Sequence, residues 1–172
     1  MKDVIIGFLK TSALLIVLEV FTSAVLPSFG IMEFKPAFNV LIVLFLAFKL
    51  DVPFLPFLIF VFQYIHSVFS IEGWASGTLA GILIALSVRY VKDLLSFSSA
   101  ISTIIVVQVF QLGWFLLTAG ILSLKLGDFS SFFDIFIKYV PESFFLSLIS
   151  YHFFMLMDNF WQVRKKLSGV AF

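Results

Sequence analysis

Apolar runs separated by short polar breaks recur along the chain. They fall at Val4–Leu26, Ala37–Leu50, Pro53–Phe69, Gly73–Val91, Phe97–Leu124 and Tyr139–Met157. Runs of this kind predict helices that cross a lipid bilayer. The pattern therefore predicts six spans joined by short loops. The second is short. Ala37–Leu50 covers about 21 Å at a rise of about 1.5 Å per residue, against a hydrocarbon core of about 30 Å. Lys35 and Lys49 bracket it, and their stems can reach the headgroups. Local thinning of the bilayer, or burial among neighbouring helices, would close the remaining gap. Pro53 ends the run, because it restrains the residue before it and lacks an N–H. So FKPAFNVLIVLFLAFKLDVPFLPF reads as a span, a tight turn and the start of a return span. A re-entrant hairpin is the alternative. The length of Pro53–Phe69 argues against it. Glu19 interrupts the first run before any cleavage site, which favours a retained span over a removed leader.

Composition agrees with the pattern. Of 172 residues, 62% are hydrophobic and 12% charged. A soluble domain carries about 45–50% apolar and about 25% charged residues. The expected class is an all-α polytopic membrane protein, with residues 1–172 forming a single integral membrane domain. The net charge of +1 gives no sign of a nucleic-acid partner. There is no cysteine, which excludes disulfides, thiolate metal sites and cysteine nucleophiles. The 25 phenylalanines suit lipid-facing and gap-filling positions. Lys2, Lys49, Arg89, Lys92, Arg164, Lys165 and Lys166 fall on one side of a six-span layout, and Lys35 and Lys125 on the other. The positive-inside rule then places both termini in the cytoplasm.

Few motifs carry chemistry. In GWASGTLAGILIA, Gly73, Gly77, Gly81 and Ala85 recur every four residues and form a small-residue ridge along the fourth helix. Such a ridge lets another backbone approach closely, either within the bundle or on a partner helix. Ionisable residues inside spans are expensive and point to function; here they are Glu19, His66 and His152, with Lys10 as a further candidate. The two histidines are expected at different depths, so no metal site is expected. Gln108 and Gln111 share a face of the fifth helix. With Glu19 and Trp114 they could line a polar cavity, or they could bond between helices. Asp134, Lys138 and Glu142 form a charged stripe in DFSSFFDIFIKYVPE. That segment reads as a short amphipathic helix in the outer interface, broken or kinked at Pro141. A plain extension of the last span is the alternative. Trp161 is expected at the interface. Arg164, Lys165 and Lys166 follow it as a cytoplasmic basic edge, suited to anionic headgroups or a docking partner. No Gly-rich phosphate loop, HExxH or GxSxG is present, and no cofactor or solvent-facing active site is expected.

The layout resembles the MreD family of bacterial rod-shape proteins. The likeness begins at Phe34-Lys35-Pro36 followed by VLIVLFLAFKL. It continues through SVFSIEGWASGTLAG, a bend leading into a glycine-bearing helix, and ends at FFMLMDNFWQVRKK. The family usually carries an aspartate before the bend. Here that region is FQYIHSVF, with Gln63 and His66 and no acid, so no residue role is carried over from it. The resemblance implies a non-enzymatic scaffold of the cell-elongation complex in the bacterial inner membrane. Its implied partners are an MreC-like single-span protein, RodA, a class B penicillin-binding protein and MreB. MreD-like bundles are also similar to the substrate-binding S components of energy-coupling-factor vitamin transporters. That second reading needs an outward-facing ligand pocket. A lipid filling the bundle is compatible with either reading.

Overall fold

A computed structural model describes residues 2–31, 34–50, 52–70, 73–92, 99–126 and 131–161, and within them all side chains except those of residues 2, 3, 126, 131 and 134. The described residues form a bundle of six helices with no strand. Helix α1 runs as Lys2–Val20, passes through a π-helical turn at Phe21–Val25, and ends at Leu26–Ser28. The others are α2 (Phe38–Lys49), α3 (Leu55–Ser67), α4 (Trp74–Val91), α5 (Ala100–Leu126) and α6 (Ser131–Trp161). Helices α1, α4, α5 and α6 are long and apolar enough to cross a membrane, while α2 and α3 are shorter apolar helices. The chain is a multi-pass membrane protein.

Helix α2 explains the short second run. Ten of its residues, Phe38 to Ala47, are buried. It packs against α1, α3, α4, α5 and α6, so it forms the axis of the bundle. A helix enclosed by protein needs no polar face, and its length need not match the lipid. Both ends are tied to α6. The Lys35 backbone N–H donates to Glu142 Oε1 at 2.7 Å, and Lys49 Nζ lies 3.6 Å from Asp158 Oδ2. The two acids are sixteen residues apart, or about 24 Å along α6. The segment from Lys35 to Lys49 therefore extends through most of a bilayer's hydrocarbon thickness.

Two expectations are corrected here. The charged segment before Pro141 is not a separate interfacial helix. It is the first part of α6, which continues unbroken through Pro141. The cause is aromatic packing onto α5. The Phe115 ring lies 5.4 Å from Phe132, 5.5 Å from Phe136 and 4.5 Å from Tyr139, centroid to centroid. These contacts hold the segment along α5 instead of flat on the membrane. Trp161 is also not presented to headgroups. It is buried against α1, where its Nε1–H donates to Thr11 Oγ1 at 2.9 Å. The closeness of Gly7 makes room for it, since a Cβ at Gly7 would stand 2.8 Å from the indole. This contact also puts the start of α1 and the end of α6 at one end of the bundle.

The glycine ridge is buried inside the chain. A Cβ at Gly77 would lie 2.5 Å from Gln63 Oε1, and one at Gly81 would lie 2.7 Å from Ile59 Cγ2 and 3.2 Å from Trp114. Helix α4 therefore wedges between α3 and α5 with little space on either side. Ala85 is buried on the same face, whereas Gly73 is exposed at the start of the helix.

Candidate functional site

At the end of the bundle away from the chain termini, the helices part around a cavity of about 750 Å³. Its wall is mostly apolar and includes Val40, Leu79, Trp114, Phe115, Leu122 and Leu146. Lys35, Lys125, Lys138 and Glu142 line it as well, at the ends of α2, α5 and α6. Three of the four residues expected to frame a polar cavity line it: Glu19, Gln111 and Trp114. A smaller cavity of about 130 Å³ lies at the opposite end, beside Leu50, Pro53, Arg89 and Lys92.

Glu19 and His66 meet at the larger cavity. His66 Nδ1 lies 2.6 Å from Glu19 Oε1, and both side chains are buried. The pair shares a proton, whichever partner holds it. Thr22, one turn on, donates its hydroxyl to the Glu19 carbonyl at 3.1 Å. That bond sits at the entry to the π-helical turn, where the backbone ladder shifts by one residue and Leu26 N–H donates to Phe21 O. Single π turns of this sort re-aim side chains and recur at functional sites.

The glutamines form a directed ladder between α5 and α6. Gln111 Nε2 donates to Ser147 Oγ at 3.3 Å, and Ser147 Oγ donates to Gln108 Oε1 at 2.6 Å. Gln108 Nε2 donates to Ser143 Oγ at 3.2 Å, and the Ser143 hydroxyl donates to the Val140 carbonyl at 3.0 Å. The two serines engage both amides and link α5 to α6. Gln108 is used by this ladder and does not line the cavity. Gln111 belongs to both. Its Oε1 is left without a hydrogen-bond partner although the side chain is 1% exposed.

Four charged residues that line the cavity are not candidate site residues in the sequence: Lys35, Lys125, Lys138 and Glu142. By sequence Lys35 is only an end anchor, and Lys125 marks only the sidedness of the chain. The Lys35 ammonium donates to the Phe69 carbonyl at 2.5 Å and ties the start of α2 to the end of α3. Lys138 and Glu142 belong to the charged stripe of the sequence; their four-residue spacing puts both on the face of α6 that lines the cavity. The third member of that stripe, Asp134, has its side chain outside the described residues, as do Arg164, Lys165 and Lys166. His152 is exposed on α6, with its ring centroid 5.5 Å from that of Tyr151. A second buried amide pair, Asn39 Nδ2 to Gln63 Oε1 at 3.1 Å, joins α2 to α3. Comparison with protein-family models, curated proteins and solved structures gives no match.

Proposed function

We propose that the protein is a non-enzymatic scaffold of the bacterial cell-elongation complex, similar to MreD, in the inner membrane with both termini cytoplasmic. The observation that carries this reading is the place of the MreD-like stretch in the fold. Lys35-Pro36 opens the enclosed helix α2, the turn at Pro53 leads to α3, and the bend after His66 leads to the glycine-bearing α4. These three helices pack on one another and make the frame of the bundle. Helix α1 lies on the outside. Its residues Ile5, Leu9, Ala13, Ile16 and Val20 form an exposed stripe at three- and four-residue steps. A stripe of that length suits lateral packing with one transmembrane helix, as an MreC-like partner would supply. Through such contacts the scaffold would shift the conformational equilibrium of RodA and its class B penicillin-binding protein.

The cavity favours a second reading, a substrate-binding S component of a vitamin transporter. Its volume and mixed lining are those of a small-molecule site. One purification separates the two. The tagged protein is extracted from its native host in mild detergent, and whatever accompanies it is identified. An MreC-like coiled-coil protein, with or without RodA, is the expected result. Recovery of a transporter ATPase with its coupling subunit would overturn the scaffold reading.

A further inference from the structure

We infer that the large cavity binds an uncharged molecule, apolar over most of its surface, whose polar group both donates and accepts a hydrogen bond, as an amide does. The inference rests on the Glu19–His66 pair and on neither reading of the function. Protein interiors are close-packed, and voids larger than a water molecule are few. A cavity of about 750 Å³ is far beyond such a void and within the usual size of a ligand pocket. Val40, Trp114, Phe115 and Leu146 give it apolar walls, so most of an occupant's surface must be apolar too.

The wall also carries a polar pair. Glu19 and His66 both line the cavity, and each is more than nine-tenths buried. Their mutual contact uses Glu19 Oε1 and His66 Nδ1. Among the described residues, Glu19 Oε2 and His66 Nε2 have no further hydrogen-bond partner, and neither atom is wholly enclosed. The cavity that both residues line is where a partner can reach them. A few polar groups set in a mostly apolar wall are what fix the orientation of a small ligand. The π-helical turn that begins two residues after Glu19 is of the kind found at functional sites.

The pair sets the chemistry of that ligand. A net charge buried among apolar groups is costly, so the pair is neutral as a unit. Neutrality leaves imidazolium with carboxylate, or imidazole with carboxylic acid, and in both the shared proton lies between Nδ1 and Oε1. In both, His66 Nε2 carries a hydrogen and donates, while Glu19 Oε2 accepts. The occupant must therefore offer one acceptor and one donor. An amide offers both without a charge. A carboxylate lacks the donor that Oε2 needs, and an ammonium lacks the acceptor that Nε2–H needs.

The test uses the full chain with isotope-labelled histidine in phosphatidylcholine nanodiscs. The chain has two histidines, so the imidazole nitrogens report on His66 in the cavity wall and on His152, exposed on α6, as an internal reference. Decanamide is titrated in and both rings are followed by magnetic resonance. The His66 signals should shift to a plateau while those of His152 stay still. N-methyldecanamide, which keeps an N–H, should behave alike. N,N-dimethyldecanamide, which has none, should bind about threefold to tenfold more weakly, the worth of one neutral hydrogen bond. Decanoate should bind more weakly than decanamide as well. Ala119→Phe, which fills the cavity from α5, should abolish the plateau. The comparison of probes on the unaltered chain stands without that variant, should it fail to fold. His66 signals that stay still, or that move in proportion to probe without a plateau, would overturn the proposal. So would a dimethylamide that binds as tightly as decanamide, or a decanoate that binds more tightly. Native mass spectrometry of the purified chain identifies the source. An uncharged lipid that decanamide displaces assigns it to the membrane, and an empty chain that takes up decanamide assigns it to solution. An anionic lipid displaced in the same way counts against the proposal. Partner capture plays no part in these measurements, so failure here is distinct from failure of the scaffold reading.

Discussion

His66 Nδ1 sits 2.6 Å from Glu19 Oε1, joining α1 to α3 beside the cavity, with the two residues 7% and 3% exposed. Removing one partner of a buried pair leaves the other uncompensated, typically at a cost of about 3–5 kcal/mol. His66→Leu should therefore lower the thermal midpoint in detergent markedly. Glu19→Gln, which keeps a hydrogen-bonding oxygen near the imidazole, should do less. Replacing both with leucine should cost less than the sum of the two leucine single changes, because neither partner is then stranded. Additive losses across that double-mutant cycle would show that the contact contributes nothing to stability.

The meeting of Glu19 and His66 also shows where the sequence stops being informative. Each was recognisable as costly inside a span, and each could be assigned to the end of the bundle away from the termini. Periodicity orders residues along one helix but does not say which helices are neighbours. The same holds for Gln111 and Ser147. The glutamine face was visible, but the serines of α6 carry no sequence signal that marks them as its partners. The helices themselves were legible because apolar runs set them. The continuity of α6 was not, since local rules at Pro141 favour a break and only the rings packed on Phe115 override them.

Gly81 and Gly73 belong to one repeat but should respond in opposite ways. A methyl at Gly81 would meet Ile59 Cγ2 at 2.7 Å and the Trp114 ring at 3.2 Å. Overpacking of this kind costs about 1–3 kcal/mol. At Gly73 no atom lies within 4 Å of an added Cβ. Gly81→Ala should thus destabilise the purified protein, and Gly73→Ala should not. Gly77→Ala falls between them. Its Cβ would press on Gln63 Oε1 and break the bond to Asn39, and Gln63→Ala should partly rescue it. Thermal unfolding in one detergent compares all four chains. Equal midpoints for Gly73→Ala and Gly81→Ala would contradict the wedge described for α4.

Lys49 and Asp158 predict an asymmetry. The lysine side chain is 31% exposed and the aspartate side chain 8%. A lysine freed of its partner can extend its ammonium towards the headgroups. Asp158 has no such reach, and its Oδ1 already lacks a hydrogen-bond partner. Lys49→Met should therefore be the more damaging change, and Asp158→Asn the milder one. Unfolding midpoints in the opposite order would mean that the carboxylate is better solvated than its burial implies.

The ladder between α5 and α6 gives the finest discrimination. Hydrogen bonds between membrane helices contribute about 0.6 kcal/mol on average, and up to about 1.7 kcal/mol. Gln108 holds two of them, accepting from Ser147 and donating to Ser143. Gln111 holds one and carries an unpartnered oxygen. Gln108→Leu strands the Ser147 proton and removes a donor from Ser143. Gln111→Leu removes one bond and also relieves a buried acceptor. Gln108→Leu should destabilise the bundle by about 1–2 kcal/mol. Gln111→Leu should be close to neutral. If calorimetry or chemical unfolding finds Gln111→Leu the costlier of the two, its Oε1 must have a donor in the purified protein.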